Sequence, residues 1–374
     1  MVTNQDATMK TYTVKGGDSL GSIAFKQLGA TAKWREIAEL NNIVNPSKIQ
    51  VGQVLQLPIE SEPTPSTERA DVVIIEEDPR IYYQYQTDTT RKYLGKKFRK
   101  GIFRPGSQIT ETFIQQNPNL LADLKISKSE VNALLATSEN EGNLDAVNTW
   151  DNSFMSFGMF QWTLGAGTGE GELPALIKLV KEKYPDAFQQ FCEQFGVDVS
   201  ADTNATYGYL IHNNNKVDTA AEKQFFRSNI VAYRFVAAGM DQRVCAVQIL
   251  HAINRFNLFY FNKTDKLGGN SLFDLLSSEY AAALFLDNHV NRPGYLWPCV
   301  SKAISNSGIS YEQLKNGGDR EEMKVINQYL NVRETYGNSP MTDARNRAAV
   351  TKRYLDAGKI SASKGSFKSN RALR

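Results

Sequence analysis

The sequence predicts a multidomain protein in which a small βααβ module precedes a larger, mainly α-helical domain of the α+β class. The chain has 374 residues, more than the ~100–200 residues of one typical domain. Residues 11–58 alternate short strand and helix patterns, and a proline-containing stretch at 60–70 separates them from a remainder with helical periodicity. With 41% hydrophobic and 22% charged residues, the composition is globular, which excludes wholesale disorder and collagen-like or coiled-coil structure.

The N-terminal module is predicted from local patterns alone. The stretch TYTV alternates as a strand does, and Asp18, after a Gly-Gly turn, has the chemistry of a helix cap. Apolar residues from Trp34 to Leu40 have helical spacing, which predicts a second helix. An asparagine-rich turn then leads to a short apolar strand that Pro58 closes. The predicted order is therefore strand, helix, helix, strand.

These features resemble a LysM domain over residues 11–58. GDSLGSIA, the Asn41-Asn42 turn and IQVGQVLQLP follow the order of the family's landmarks. The resemblance implies binding of N-acetylglucosamine polymers in a shallow groove between the loop after the first strand and the loop after the second helix. Asp18 and Asn42 are the candidate binding residues in these two loops.

The same segment is most similar to the LysM modules of phage tails and contractile injection baseplates. The features that carry this similarity are Trp34 before the asparagines and NPSKIQVGQ after them. In such particles the module often joins proteins together, so tail tube, spike or baseplate subunits are expected partners beside peptidoglycan. Whether this module binds glycan or protein stays open on the sequence.

Residues 59–110 are expected to form a linker and a connecting segment. ESEPTPSTERA (60–70) favours extended geometry and has too few apolar groups for a core. In RKYLGKKFRKGIFR (91–104), seven Lys or Arg residues interleave with Tyr93, Phe98 and Phe103. This basic stretch suits an acidic partner, an anionic wall polymer or nucleic acid, or it forms a solvated face.

Helical patterns dominate from residue 111 onward. Ser127 and Glu130 have the spacing of a capping box, and Asp241 precedes another apolar helical run. Residues 341–374 are predicted to form a basic C-terminal helix and tail, because nine basic and two acidic residues give them a net charge of +7. The last part, 359–374, has so few large apolar groups that we expect it to be disordered when alone.

The segment LLATSENEGNLDAVNTWDNSFMSFGMFQWT (134–163) is the most informative for chemistry. Gly142 is a natural helix stop, which puts Glu139 in the last helical turn, facing an irregular loop. Aromatic residues follow closely, and an apolar enclosure raises the pKa of a carboxylic acid, as a general acid requires. Glu141 is a rival acid on a different helical face.

This segment resembles the catalytic region of goose-type lysozymes and soluble lytic transglycosylases. Glu139, Asn143 and Ala146 keep the family's spacing of four and seven residues, and SFGMFQ, which ends at Gln161, stands at the second motif. The gap of 22 residues from Glu139 to Gln161 is longer than usual, and Asn140 replaces the common serine. The resemblance implies a lysozyme-like fold at 111–340.

It also implies a reaction, the cleavage of the β-1,4 bond between N-acetylmuramic acid and N-acetylglucosamine. Glu139 would protonate the bridging oxygen, and Asn143, Gln161 and Trp162 would contact the substrate. Asp145 or Asp151 would activate water if either stands about 6.5–9.5 Å from that acid. Otherwise the substrate's own N-acetyl and 6-hydroxyl groups complete the reaction, and the product is an anhydro-sugar.

No cofactor or metal site is predicted. The histidines form no HExxH-type pair, and the cysteines, which are expected to be buried thiols, have no CxxC spacing. The glycine-rich LGAGTGEGELP (164–174) lacks the Lys-Ser/Thr of a nucleotide loop and is interpreted as a flexible lip of the cleft. The residues concerned are His212, His251, His289, Cys192, Cys245 and Cys299.

The sequence also gives an expectation for the protein's location. No apolar run reaches the ~18 residues of a membrane span, and the first residues have neither the charged nor the apolar part of a secretory signal. We expect cytoplasmic synthesis, incorporation into a phage-like particle at the tail or baseplate, and no role in nucleic-acid binding. The alternatives are a structural hub protein with an inactive lysozyme-like domain and a free endolysin.

Overall fold

The computed structural model describes residues 11–28, 34–43, 45–57, 72–138 and 142–371. The chain divides into two compact units, Met1–Val72 and Val73–Arg374. Each unit has its own cluster of buried apolar side chains. The part of the predicted connecting segment that follows residue 72 therefore belongs to the second unit.

The first unit has the predicted βααβ order. It consists of β1 (Thr11–Thr13), α1 (Leu20–Leu28), α2 (Trp34–Leu40) and β2 (Val54–Gln56). The two strands pair antiparallel, with Tyr12 opposite Leu55. Most of the apolar positions that predicted the helices form the core, whereas Leu40, at the end of α2, is exposed. The buried residues are Val14, Leu20, Ile23, Ala24, Ile37, Ala38, Leu55 and Leu57.

A seven-stranded sheet forms one side of the second unit. Its spatial order follows the chain order throughout, and every strand pair from the second strand onward is antiparallel. The first four strands lie within the predicted connecting segment, so residues 72–104 of that segment are part of the sheet. The strands are β3 (Val72–Glu77), β4 (Arg80–Tyr85), β5 (Lys92–Phe98), β6 (Gly101–Arg104), β7 (Val147–Asn148), β8 (Ser156–Phe157) and β9 (Trp162–Thr163).

Helices make up most of the rest, together with a small sheet of β10 (Val197–Val199), β11 (Leu210–His212) and β12 (Asn215–Lys216). The helices are α3 (Thr110–Gln116), α4 (Pro118–Asp123), α5 (Lys128–Ser138), α6 (Leu173–Lys183), α7 (Pro185–Phe191), α8 (Ala220–Lys223), α9 (Asn229–Met240), α10 (Gln242–Asn254), α11 (Phe256–Phe259), α12 (Leu272–Leu275), α13 (Glu279–Asn291), α14 (Leu296–Ser307), α15 (Tyr311–Asn316), α16 (Asp319–Thr335) and α17 (Ala344–Asp356).

Helix α13 lies at the centre of the helical part. Its residues from Glu279 to His289 are all buried, and it packs against α5, α14 and α17. The predicted caps are present at two neighbouring helices. Ser127 and Glu130 exchange backbone-to-side-chain hydrogen bonds of 2.8 and 3.1 Å at the start of α5, and Asp241 accepts from the first backbone amides of α10.

The C-terminal segment, which is expected to be disordered when alone, is folded in the whole chain. Residues 359–371 fold back onto the helices, and the ring of Phe367 is fully buried, 5.0 Å from that of Phe256. The buried side chain of Arg371 lies 3.7 Å from the Glu130 carboxylate. Composition alone does not show this packing, because the ring of Phe367 enters an aromatic cluster that distant residues, Phe256 and Tyr260, build.

The structure also shows the state of the cysteines, and it can be searched for groups of metal ligands and for membrane-spanning helices. The three cysteines are buried and free, and burial raises the pKa of the Cys192 thiol to about 12, as for an inert thiol. Within the residues that the structure describes, no group of three or more His, Cys, Asp or Glu side chains is arranged to hold a metal ion. Those residues also include no helix that is long and apolar enough to span a bilayer.

Candidate functional site

The C-terminal end of α5 is fixed by neighbouring helices. The hydroxyl of Thr137 donates to the carbonyl oxygen of Ala283 on α13 at 3.1 Å. The hydroxyl of Thr351 on α17 donates to the carbonyl oxygen of Ala136 at 3.2 Å. The chain therefore leaves α5 from a rigid support. Glu139, like Asn140 and Glu141, lies outside the residues that the structure describes.

The loop that follows, residues 142–146, lies against the segment that contains the second motif. The Gly142 amide donates to the Met159 carbonyl oxygen at 2.8 Å, and the Gly158 amide donates to the Ala146 carbonyl oxygen at 2.9 Å. Gln161 has a positive φ of 50° and donates its side-chain amide to the Gly158 carbonyl oxygen. A Cβ added at Gly142 would stand 3.6 Å from the Nε2 atom of Gln161. The two motifs are thus brought together in space.

Gln248 on α10 connects the loop after α5 to the Met159–Gln161 segment. The sequence patterns did not predict a role for this residue. Its buried side chain donates to the Leu144 carbonyl oxygen at 2.9 Å and accepts from the Met159 amide at 3.2 Å. A Cβ at Gly158 would come within 2.1 Å of the Gln248 Oε1 atom, so a glycine is required there. The signal in the sequence was a single amide among apolar residues of a helix, which marks a buried polar anchor.

Asp145, predicted as a candidate base, is fully buried and saturated with donors. One carboxylate oxygen accepts from the amides of Ser107 and Gln108 at 2.6 and 2.7 Å. The other accepts from the Arg104 guanidinium at 2.7 Å and from the Ser107 hydroxyl at 3.1 Å. Burial favours a higher pKa, but these hydrogen bonds outweigh it and lower the pKa of Asp145 below its ordinary value.

This geometry gives Asp145 a structural part in the site. A general base must reach a water molecule, and both oxygens of Asp145 already bind the loop between β6 and α3. Its carboxylate instead ties that loop to the loop after α5. The expectation that Asp145 activates water finds no support in this arrangement.

Asp151 and Asn143 are more accessible. The Asp151 carboxylate accepts from the Asn148 side chain at 3.0 Å and from the Ser153 amide at 2.9 Å, which shapes a local turn. The Asn143 side chain donates to the Pro105 carbonyl oxygen at 3.3 Å. Both residues are partly exposed. Their predicted roles as base and as substrate contact remain predictions.

Trp162 lies in the core, which differs from the expected position on a substrate cleft. Its side chain is 1% exposed, and its ring makes an edge contact with that of His251 at 5.3 Å. Burial, with Arg255 nearby, lowers the pKa of His251 to about 3, so this histidine is neutral. Among the described residues, the indole nitrogen of Trp162 has no hydrogen-bond partner. A sequence pattern cannot distinguish an aromatic lining from an aromatic core.

In the first unit, Asp18 organises the loop after β1. Its carboxylate accepts from the Tyr12 hydroxyl at 2.8 Å and from the Lys15 amide at 2.9 Å. Asp18 does not belong to α1, which begins two residues later, and its carboxylate closes the preceding turn. Substituting this residue would disturb the loop itself as well as any ligand contact.

The two asparagines of the second loop have different roles. Asn41 bridges α2 and β2, because its side chain donates to the Ile37 carbonyl oxygen at 2.8 Å and accepts from the Gln56 amide at 2.7 Å. Asn42 is exposed and has a positive φ of 53°, a conformation that asparagine tolerates well. Asn42 is therefore the member of the pair that can meet a ligand.

A groove of about 240 Å³ in the second unit is lined in part by Glu172 and Arg255. Glu172, at the end of the glycine-rich loop, forms a two-point salt bridge with Arg255, at 2.8 and 3.1 Å. The ammonium of Lys223 binds the carbonyl oxygens of Gly165 and Gly169. The loop predicted as a flexible lip is thus held by a buried lysine.

Comparisons with known proteins identify the first unit. Residues 12–58 match the family of the LysM domain. An uncharacterized protein of Deinococcus radiodurans is 46% identical over 55 residues, which are 15% of this chain and 22% of that protein. The chain thus matches about one fifth of this relative's length. Residues 12–58 form a LysM domain, and this domain indicates binding of peptidoglycan or a related glycan.

Proposed function

We propose that this protein binds peptidoglycan through its LysM domain and cleaves the glycan strands with its second unit. The observation that supports the proposal best is the hydrogen-bonded contact between the loop after α5 and the Met159–Gln161 segment. This contact joins the two motifs that resemble a lysozyme site. Buried Gln248 and Asp145 hold the contact in place, and a catalytic site needs such a rigid support.

In this proposal Glu139 is the general acid that protonates the bridging oxygen as an oxocarbenium-like centre develops. Asp151 is the preferred candidate for activating water, because Asp145 is occupied by four donor groups. If Asp151 does not serve, the substrate's own groups complete the reaction, as in lytic transglycosylases. The protein is then a muramidase in the first case and a transglycosylase in the second.

The experiment that tests this function compares two carboxamide variants. Dye-labelled peptidoglycan sacculi are incubated with wild-type protein, with Glu139→Gln and with the matched control Glu141→Gln. We expect wild type and the control to release dye, and Glu139→Gln to lose at least ~100-fold in rate, with its melting temperature kept. Wild-type protein that releases nothing from walls of several chemotypes would favour the structural hub.

We also propose that the protein acts as a tail or baseplate component of a phage-like contractile injection particle. This rests on the form of its LysM segment, with Trp34 and NPSKIQVGQ. Such a protein would sediment with a large particle from producing cells, whereas an endolysin would remain a small soluble species. The sedimentation profile of the native protein in a clarified lysate separates these two cases.

A further inference from the structure

One face of the sheet carries exposed aromatic rings surrounded by cations. We call it the aromatic face, and define it by Tyr82, Tyr93, Phe98, Phe103 and Trp150. Paired residues on neighbouring strands point to the same side of a sheet. Tyr82 pairs with Tyr93, and the ring of Phe98 contacts that of Trp150, with centroids 4.9 Å apart.

A bulge in β5 is the reason that these rings share a face. Tyr93 and Phe98 are five residues apart, and in a regular strand this spacing puts side chains on opposite faces. Ile81 pairs with Gly95 and Tyr82 with Tyr93, so β5 has one extra residue at this point. Because of the extra residue, the side chains of Tyr93 and Phe98 lie on the same face of the sheet. Tyr93, Phe98 and Phe103 are 41–45% exposed.

The opposite face of the sheet is packed. Ile81, Leu94 and Ile102 are almost completely buried there, and the ring of Tyr83 lies 4.8 Å from that of Tyr233 on α9. The sheet therefore packs against the core with one face and leaves the aromatic face accessible to solvent. Large apolar side chains grouped on a surface mark an interaction site more often than single ones do.

Cations frame the rings. The guanidinium of Arg99 lies 5.0 Å from the ring centre of Trp150, and that of Arg91 lies 4.8 Å from the ring centre of Tyr82. Lys96 pairs with Phe103 across β5 and β6, and both side chains are exposed. Along β5, Tyr93 and Phe98 are separated by roughly four regular strand steps because of the bulge, or about 13 Å, which is longer than one sugar ring.

We propose that the aromatic face is a second binding surface for cell-wall glycan, one that selects the carboxylated form of the polymer. Flat rings stack against the C–H faces of pyranose sugars. Lys96 and Arg99 pair with the lactyl carboxylates of N-acetylmuramic acid, whereas Arg91 is held by the Glu77 carboxylate. The LysM domain is the reason to name glycan rather than single-stranded nucleic acid, which also uses aromatic rings with cations. The proposal rests on glycan binding by this protein and is independent of cleavage.

The test uses full-length protein that carries Glu139→Gln, so that the probes stay intact. One probe is glycan strands freed of their stem peptides by an amidase, which carry free lactyl carboxylates. The other is chitohexaose, which is neutral and lacks the carboxylates that the cations would bind. The variants are Phe103→Ala and Lys96→Glu, with Met240→Ala and Lys302→Glu as controls at exposed positions on helices.

We expect Phe103→Ala and Lys96→Glu to weaken binding of the carboxylated strands about tenfold. Lys96→Glu should leave chitohexaose binding unchanged, because chitohexaose has no carboxylate. Binding of the carboxylated strands should also weaken between 0.1 and 1 M salt, as the Debye length falls from ~10 to ~3 Å. The controls should match the parent protein. A parent protein that binds the carboxylated strands but not chitohexaose would count against glycan binding by the LysM domain and would leave this surface supported.

Three results would overturn the proposal. In the first, both variants bind carboxylated strands as the parent does. In the second, the variants lose binding of single-stranded DNA while glycan binding is unchanged, which would assign the face to nucleic acid. In the third, sedimentation shows a dimer of the parent protein that both variants abolish without a change in glycan binding, which would assign the face to a second copy of the chain.

Discussion

Asp145 shows how a carboxylate in the right segment can have a structural role. Its pKa is lowered in the folded protein by hydrogen bonds from Gln108, Arg104 and Ser107, which outweigh the effect of burial. A lowered folded-state pKa stabilises the fold at pH values above the unfolded pKa of ~3.9, and this contribution is lost as pH falls below it. The side chain therefore contributes fully at neutral pH.

We predict that Asp145→Asn lowers the free energy of unfolding by about 3 kcal/mol at pH 7, because it leaves the Arg104 guanidinium without its buried partner. Urea unfolding at pH 7 measures this value. Asp151→Asn is the control, since Asp151 is partly exposed, and its cost should stay below about 1 kcal/mol. A similar cost for the two variants would contradict the structural role of Asp145.

One buried histidine, His289, and one partly buried histidine, His251, predict acid sensitivity. Burial, with Arg255 close by, lowers the pKa of His251 and of His289 to about 3. The Nδ1 atom of His289 accepts a hydrogen bond from Arg255 at 3.1 Å, which requires the neutral ring. The unfolded chain binds protons on both rings below its pKa of ~6.5 while the folded chain does not, so stability is lost as pH falls between about 6.5 and 3.

The slope should approach about 1.4 kcal/mol per pH unit for each histidine. We expect His289→Gln, which keeps a side-chain acceptor for Arg255, to make the curve of unfolding free energy against pH shallower between pH 6 and 4. Chemical denaturation at several pH values gives this curve. Equal slopes for wild type and the variant would show that His289 is protonated in the folded state.

For single residues, the sequence predicted the chemical character of a side chain better than its place in the fold. It correctly indicated that the cysteines are buried thiols, because isolated cysteines without metal spacing pack as small apolar groups. It did not show that Trp162 is core, or that Asn41 and Asn42 divide structural and surface roles. Whether such a side chain is buried or exposed depends on which face of its loop or strand packs against the core.

Among the elements, those with local patterns were predicted best. The βααβ order of the first unit and the caps of α5 and α10 depend on residues a few positions apart, which a sequence shows directly. The pairing of β6 with β7 joins residues more than forty positions apart, and the bulge in β5 reverses the faces that simple alternation predicts. Neither feature is visible without the fold.

The C-terminal segment is the element for which the structure changes the prediction most. We expect that deleting residues 359–374 lowers the free energy of unfolding of the second unit by at least about 3 kcal/mol, because it removes the buried ring of Phe367. Phe367→Ala should have a cost of similar size, and Lys368→Ala, at an exposed position, should have almost none. Unchanged unfolding of the truncated chain would show that the segment is a dispensable tail.

For the whole molecule, the proposed function assigns glycan binding to the LysM domain of the first unit and glycan cleavage to the second unit. We predict that Asn42→Gly weakens retention of the full chain on insoluble peptidoglycan several-fold, because Asn42 is the exposed asparagine of its loop. Glycine accepts the positive φ at this position, so the melting temperature should stay unchanged. A pull-down with purified sacculi measures retention. If retention is unchanged while the chain with residues 1–60 deleted fails to enter particles, the LysM domain serves assembly.

The central claim is that this LysM protein cuts the glycan strands to which it binds. Mass spectrometry of the soluble products from purified sacculi tests it most directly. We expect disaccharide-containing fragments with new reducing ends if Asp151 or another base activates water, or with anhydro ends if the substrate completes the reaction. In either case wild-type protein releases them and Glu139→Gln does not. Release of the same fragments by Glu139→Gln, or no release by a wild-type protein that binds sacculi, would contradict the claim.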